Sequence, residues 1–211
     1  MTSIPFPSHW TTTWQSIKDY TCQVESHICN GSRNQERHWK VWAREPSHLR
    51  AEILKSSTAG ERGTVLVYRG GAEIQAHAGG LLSLFTASFP LRSPRVTSVR
   101  GNPITDMMFQ HLMEVLQQYQ QAQARIVFGE PTVQDGRKVV LVTLTTDKTE
   151  FIRQNDQIVR DMVWFDANNG LPLKVERYEV PTQSPVIRVI YRDLKLNVGV
   201  PDKVFNLHAT A

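Results

Sequence analysis

Seven histidines, two cysteines and twenty acidic residues are the groups that could do chemistry in this 211-residue chain. The histidines stand at 9, 27, 38, 48, 77, 111 and 208, widely spread. His27 and His38 can face each other across a hairpin, but zinc needs three or four ligands, and two facing imidazoles are an ordinary surface pair. Asp161 and Asp166 could be read as paired carboxylates. On a strand and its following turn, they are expected to lack the burial that tunes one of them as an acid. No nucleophile elbow, phosphate-binding glycine loop, dinucleotide fingerprint, zincin helix or paired-cysteine motif occurs. The expectation is a protein that is not an enzyme, with no metal and no cofactor.

Cys22 and Cys29 are the only thiols. On one strand their Cα atoms would lie about 23 Å apart, and a disulfide requires about 7 Å or less. They are expected to remain unbonded to each other. The net charge is +4 and the basic residues are scattered, so no nucleic-acid partner is expected and membrane contact is at most peripheral. No apolar run is long enough to cross a membrane as a helix. Residues 1–20 lack the charged start and apolar stretch of a signal peptide. That leaves open a cytoplasmic chain or an exported one whose targeting segment has been removed.

Apolar patterning is the stronger signal, and 40% of the residues are apolar. After a Pro-broken lead-in, Ser8 is a candidate N-cap, and Trp10, Trp14 and Ile17 share one helical face over about 8–19. Alternation then marks strands over 20–28, 38–44, 49–53, 64–69 and 72–77, the last two flanking Gly70-Gly71. Residues 79–91 are apolar with small residues and no charge before Arg92, and fit neither strand nor helix. A helix is expected over 105–122, with Met108, Leu112, Val115, Leu116 and Tyr119 as its apolar stripe. Strands resume over 125–128, 137–146, 157–165, 173–180 and 186–196. No composition break or repeat divides the chain, so residues 1–211 read as a single domain.

Period-2 alternation places the apolar members of each strand on one face. Tyr20, Cys22, Val24, Trp39, Val41, Leu49, Ala51 and Ile53 form that face, and Met108, Leu112 and Leu116 of the helix would close it. Gln23, Glu25, Lys40, Arg50 and Glu52 would face water. Residues 79–91, with Leu82 and Phe85, would then serve as a rim or lid over an apolar ligand. The other reading of that segment is simple core filling.

Ordered pieces along the chain resemble the LolA/LolB superfamily of bacterial envelope lipoprotein carriers, with its RseB-like and LppX-like relatives. They begin with a helix leading into Asp19-Tyr20-Thr21-Cys22, then Lys40-Val41-Trp42-Ala43-Arg44 before Pro46, Leu49-Arg50-Ala51-Glu52, and Val67-Tyr68-Arg69-Gly70-Gly71. Met162-Val163-Trp164-Phe165-Asp166, Gly170-Leu171-Pro172-Leu173, Tyr191 through Asn197, Pro201-Asp202 and Phe205 complete the set. Pro103-Ile104-Thr105-Asp106 before the central helix marks a less characterised branch. The resemblance implies a mainly β, α+β fold: a curved antiparallel open-barrel sheet with helices across the concave face. It implies a carrier or sensor of lipid or lipoprotein acyl chains in the periplasm or cell envelope, with an envelope protein as a further partner. In those carriers an arginine directly before a proline latches the lid. Arg44 is the nearest match here, and Glu45 intervenes. The alternative is a structural or protein-interaction envelope domain with a filled core and no ligand.

Overall fold

The computed structural model describes residues 6–79, 85–146, 159–179 and 184–208. Its fold is α+β: among the described residues, twelve strands form one mostly antiparallel, open sheet, with two α-helices. Hydrogen bonding orders the strands β6-β5-β4-β3-β2-β1-β12-β11-β10-β9-β7, and β8 also pairs with β9. The chain forms two compact units, one of residues 1–16 and 112–190 and the other of residues 17–111 and 191–211.

The unit of residues 17–111 and 191–211 contains β1 (Asp19–Asn30), β2 (Arg33–Arg44), β3 (His48–Ser56), β4 (Val65–Tyr68), β5 (Glu73–His77) and β6 (Thr86–Pro90). It also takes the second half of β12 (Ile187–Leu196). The first two strands exceed the expected ranges, because their polar ends pair as far as Asn30 and Arg33. Gly31, at φ +61°, supplies the left-handed residue this tight turn needs. Residues 86–90, expected as part of a lid, instead form the sheet's edge strand. Small residues and Pro90 hid that strand, and an edge is where a sheet tolerates proline.

The unit of residues 1–16 and 112–190 contains α1 (Ser8–Ser16), most of α2 (Phe109–Gln121), β7 (Arg125–Phe128), β8 (Thr132–Gln134), β9 (Arg137–Thr146), β10 (Val159–Asp166) and β11 (Pro172–Glu179). Val140, Val142 and Leu144 of β9 stand in register with Phe165, Val163 and Asp161 of β10 on one face. Trp10, Leu116 and Tyr119 pack on its apolar members, so both helices use the same face. The Trp10 and Trp14 indole N–H groups donate to the Ala167 and Gly170 carbonyls at 3.2 and 2.7 Å. These bonds moor α1 to the turn between β10 and β11.

Two helical expectations need correction. α1 stops at Ser16, because the chain must become extended for β1 at Asp19. α2 starts at Phe109, after a separate 3₁₀ turn over Ile104–Met107, and Met108 between them is extended. Met108 is therefore buried but not part of a helical stripe.

Candidate functional site

Strand register brings eight of the expected residues together in one unit. Tyr20, Cys22 and Val24 face Ala43, Val41 and Trp39 across the β1–β2 pair. Those three in turn face Leu49, Ala51 and Ile53 on β3. All nine are 4% exposed or less. Over Tyr20–Val24, Trp39–Ala43 and Leu49–Ile53 this face carries no charged side chain, as period-2 alternation requires of a face turned from water, and Arg37, next beyond Trp39, is paired with Glu61.

A chain segment runs back along this face. At the hairpin end, Asn30 Nδ2 donates to the Val99 carbonyl at 2.8 Å and Val99 N–H donates to Gln35 Oε1 at 3.3 Å. Arg100 donates to the Cys29 carbonyl at 2.8 Å. At the other end, the Tyr20 hydroxyl donates to the Met107 carbonyl at 3.2 Å. Phe109 N–H, at the start of α2, donates to Glu45 Oε1 at 2.9 Å. A carboxylate there satisfies one of the free N–H groups of the first helical turn and complements the helix dipole. Glu45, the residue that separates Arg44 from Pro46, thus holds the helix start.

Aromatic rings and polar groups meet where this segment ends. Tyr20 lies edge-on to Phe109 at 4.7 Å, and Phe109 stacks on Tyr191 at 6.3 Å between centroids. Asp106 Oδ2 accepts from Asn102 Nδ2 at 3.0 Å, and Asp106 Oδ1 stands 3.7 Å from His111 Nε2. Burial, then the nearby Glu45, raises the Tyr20 hydroxyl well above its ordinary range. Burial, then Cys22 and Asp106, raises that of Tyr191. Both phenols are neutral at physiological pH.

Burial also pushes the Cys22 thiol up to about 12. Cys29, half-buried, lies 3.6 Å from His27 Nε2, and both cysteines are free. A disulfide-exchange reagent at pH 8 should therefore titrate one thiol in the native protein and two in denaturant. Two rapidly reacting native thiols would contradict the burial of Cys22.

The remaining expected residues lie elsewhere. Leu116 belongs to the core of the unit of residues 1–16 and 112–190, and Leu112 packs against that core. Phe85 is 66% exposed beside β6. Leu82 lies outside the described residues. Arg44 donates to the Val200 carbonyl and pairs with Asp202, so the groups it holds belong to the C-terminal segment. Arg50, expected to face water, is 3% exposed and donates to the Asn206 carbonyl at 3.0 Å beneath that same segment. Phe109, His111, Tyr191 and Glu45 were missed. His111 and Phe109 carry no distinguishing pattern on a helix, and Glu45 lies in a turn.

The two groups weighed as a carboxylate pair have separate structural roles. Asp161, contrary to expectation, is 2% exposed, and Arg177 grips it through two hydrogen bonds of 2.7 Å. Asp166 accepts from Asn168 N–H within its turn. His27 and His38 stand opposite Glu36 and Glu25. Among the described residues, no three His, Cys, Asp or Glu side chains are grouped to hold a metal ion.

Comparison with known proteins agrees with the expected fold. The chain is similar to lipoprotein LppX of Mycobacterium tuberculosis, with 12% identity, 88% of this chain and 91% of that one covered, and a TM-score of 0.50. It is also similar to LprF of Mycobacterium bovis, at 13% identity, 95% and 99% coverage and a TM-score of 0.47. A third similar structure is the LolA superfamily protein NE2245 of Nitrosomonas europaea, at 13% identity, 94% and 96% coverage and a TM-score of 0.39. No curated protein matches the sequence. The likeness to LppX is one of fold. A family model described as "Protein of unknown function (DUF1571)" matches residues 18–210, and the chain belongs to that family.

Proposed function

We propose that this chain binds an apolar ligand without catalysis, as a carrier or sensor of a lipid, an acyl chain or the lipid moiety of a lipoprotein in the bacterial cell envelope. The observation that carries this reading is the uncharged face of Tyr20, Cys22, Val24, Trp39, Val41, Leu49, Ala51 and Ile53. Its cover supports the reading too, because the segment over it is hydrogen-bonded at its two ends and belongs to none of the sheet's strands. Such a cover can be displaced without breaking a sheet. The envelope setting follows the sequence resemblance to lipoprotein carriers. Met108 and Phe109 lie at the end of the cover and would meet the ligand there.

Transfer of an acyl chain from water gains about 0.8 kcal/mol per CH₂. A twelve-carbon chain would supply roughly 9 kcal/mol before the costs of association, enough for micromolar capture. The test is titration with a fluorescent fatty acid, together with native mass spectrometry of the purified protein for a retained lipid. Ile53→Glu should weaken probe binding at least about a hundredfold, because a carboxylate cannot be buried there uncompensated. Val133→Glu, at a position 74% exposed on β8, should leave binding unchanged. Circular dichroism checks that both variants fold. A wild-type protein that binds no probe and retains no lipid would leave the filled structural domain in its place.

A further inference from the structure

We propose that the Asp106–His111 pair is the subsite for the polar end of the ligand, and that this end carries hydrogen-bond donors, a hydroxyl or ammonium group, and not a carboxylate. The assignment rests on the lipid-binding reading of the same face. Asp106 sits at the end of the apolar face where Tyr20, Phe109 and Tyr191 form an aromatic border. Its side chain is 25% exposed and that of His111 38%, so both can be reached from solvent while Tyr20 and Phe109 beside them are buried.

The hydrogen-bonding capacity of this corner decides the chemistry. An ionised carboxylate can accept about four hydrogen bonds. Asp106 receives one from Asn102, and His111 stands beyond hydrogen-bond distance at 3.7 Å. Among the described residues the Tyr191 hydroxyl makes no hydrogen bond, and Asp106 lies near enough to act on it electrostatically. A ligand hydroxyl can donate to Asp106 and accept from Tyr191, and an ammonium can donate to Asp106.

Electrostatics disfavour the opposite choice. Glu45 adds a second carboxylate at the same end of the face, where it binds Phe109 N–H and acts on Tyr20. Four arginines of the same unit are engaged elsewhere. Arg44 and Arg69 hold the C-terminal segment, Arg37 holds Glu61, and Arg192 holds Glu25. Like charges at short range repel, so a fatty-acid carboxylate at this corner would be disfavoured beside Asp106 and Glu45.

The experiment displaces a bound fluorescent apolar probe at pH 7.5 with three amphiphiles sharing one tail: dodecanoate, dodecylamine and monododecanoylglycerol. The amine and the glyceride should bind about tenfold tighter than dodecanoate, the size expected of one charge-assisted hydrogen bond. Asp106→Asn should bring the amine to within about threefold of dodecanoate while the probe itself still binds. Dodecanoate binding as tightly as the other two in the wild-type protein would overturn this assignment alone, as would an unchanged preference in a folded Asp106→Asn protein. Failure of the probe and all three amphiphiles to bind would overturn the lipid-binding reading with it. The wild-type ranking decides the matter even if the variant does not fold.

Discussion

Trp10→Ala is expected to destabilise the unit of residues 1–16 and 112–190 by about 3–5 kcal/mol, the usual cost of emptying a large aromatic site. Trp10 is 1% exposed and its ring lies 5.1 Å from Phe165 between centroids, with Phe6 stacked at 6.2 Å. The change also removes the indole N–H donor to the Ala167 carbonyl. Gly170→Ala approaches the same contact from the other side. Gly170 has φ +70°, and an added Cβ would collide with the Trp10 indole. Its neighbour there is a packed ring, not the end of a flexible side chain, so the collision cannot be relieved cheaply. Urea unfolding followed by circular dichroism checks both variants. A loss below about 1 kcal/mol for Trp10→Ala would mean that α1 docks without its tryptophan, since surface changes cost no more than that.

Asp161→Ala is the second large effect, about 3–5 kcal/mol, because it removes the Asp161 carboxylate from the Arg177 guanidinium in a largely buried site. The two side chains are 3% and 16% exposed. Replacing both, with Asp161→Ala and Arg177→Met together, should recover most of the loss, since an apolar pair needs no compensation for desolvation. A double-mutant cycle from urea unfolding measures this. If the double variant is as unstable as Asp161→Ala alone, the cost lies in lost packing, and the ion pair is not its cause.

The elements were legible where one face of the chain is apolar and the other polar. Tyr20-x-Cys22-x-Val24 and Leu49-x-Ala51-x-Ile53 alternate, and a strand of period two has no other way to bury them. Trp10 and Trp14 lie four residues apart, and that spacing is one helical face. The two free cysteines followed from strand length alone. The edge strand over 86–90 was not legible, because an edge buries little and imposes no pattern on its residues.

Tertiary structure alone decided the rest. Arg50 alternates with apolar neighbours and so reads as solvated, yet carbonyls from residues more than 150 positions away cover it. Nothing local to Arg50 records which distant backbone will reach it. Glu45 interrupts a familiar Arg–Pro pattern, and only the folded chain shows its carboxylate at the first turn of α2. Leu112 and Leu116 share a helical stripe that the sequence places over Tyr20 and Val41, while the fold packs them with Val142 and Phe165. Periodicity determines which side of an element is apolar, because that depends on backbone geometry within a few residues. It does not determine which other element that side meets, because that choice belongs to packing among segments far apart in the chain.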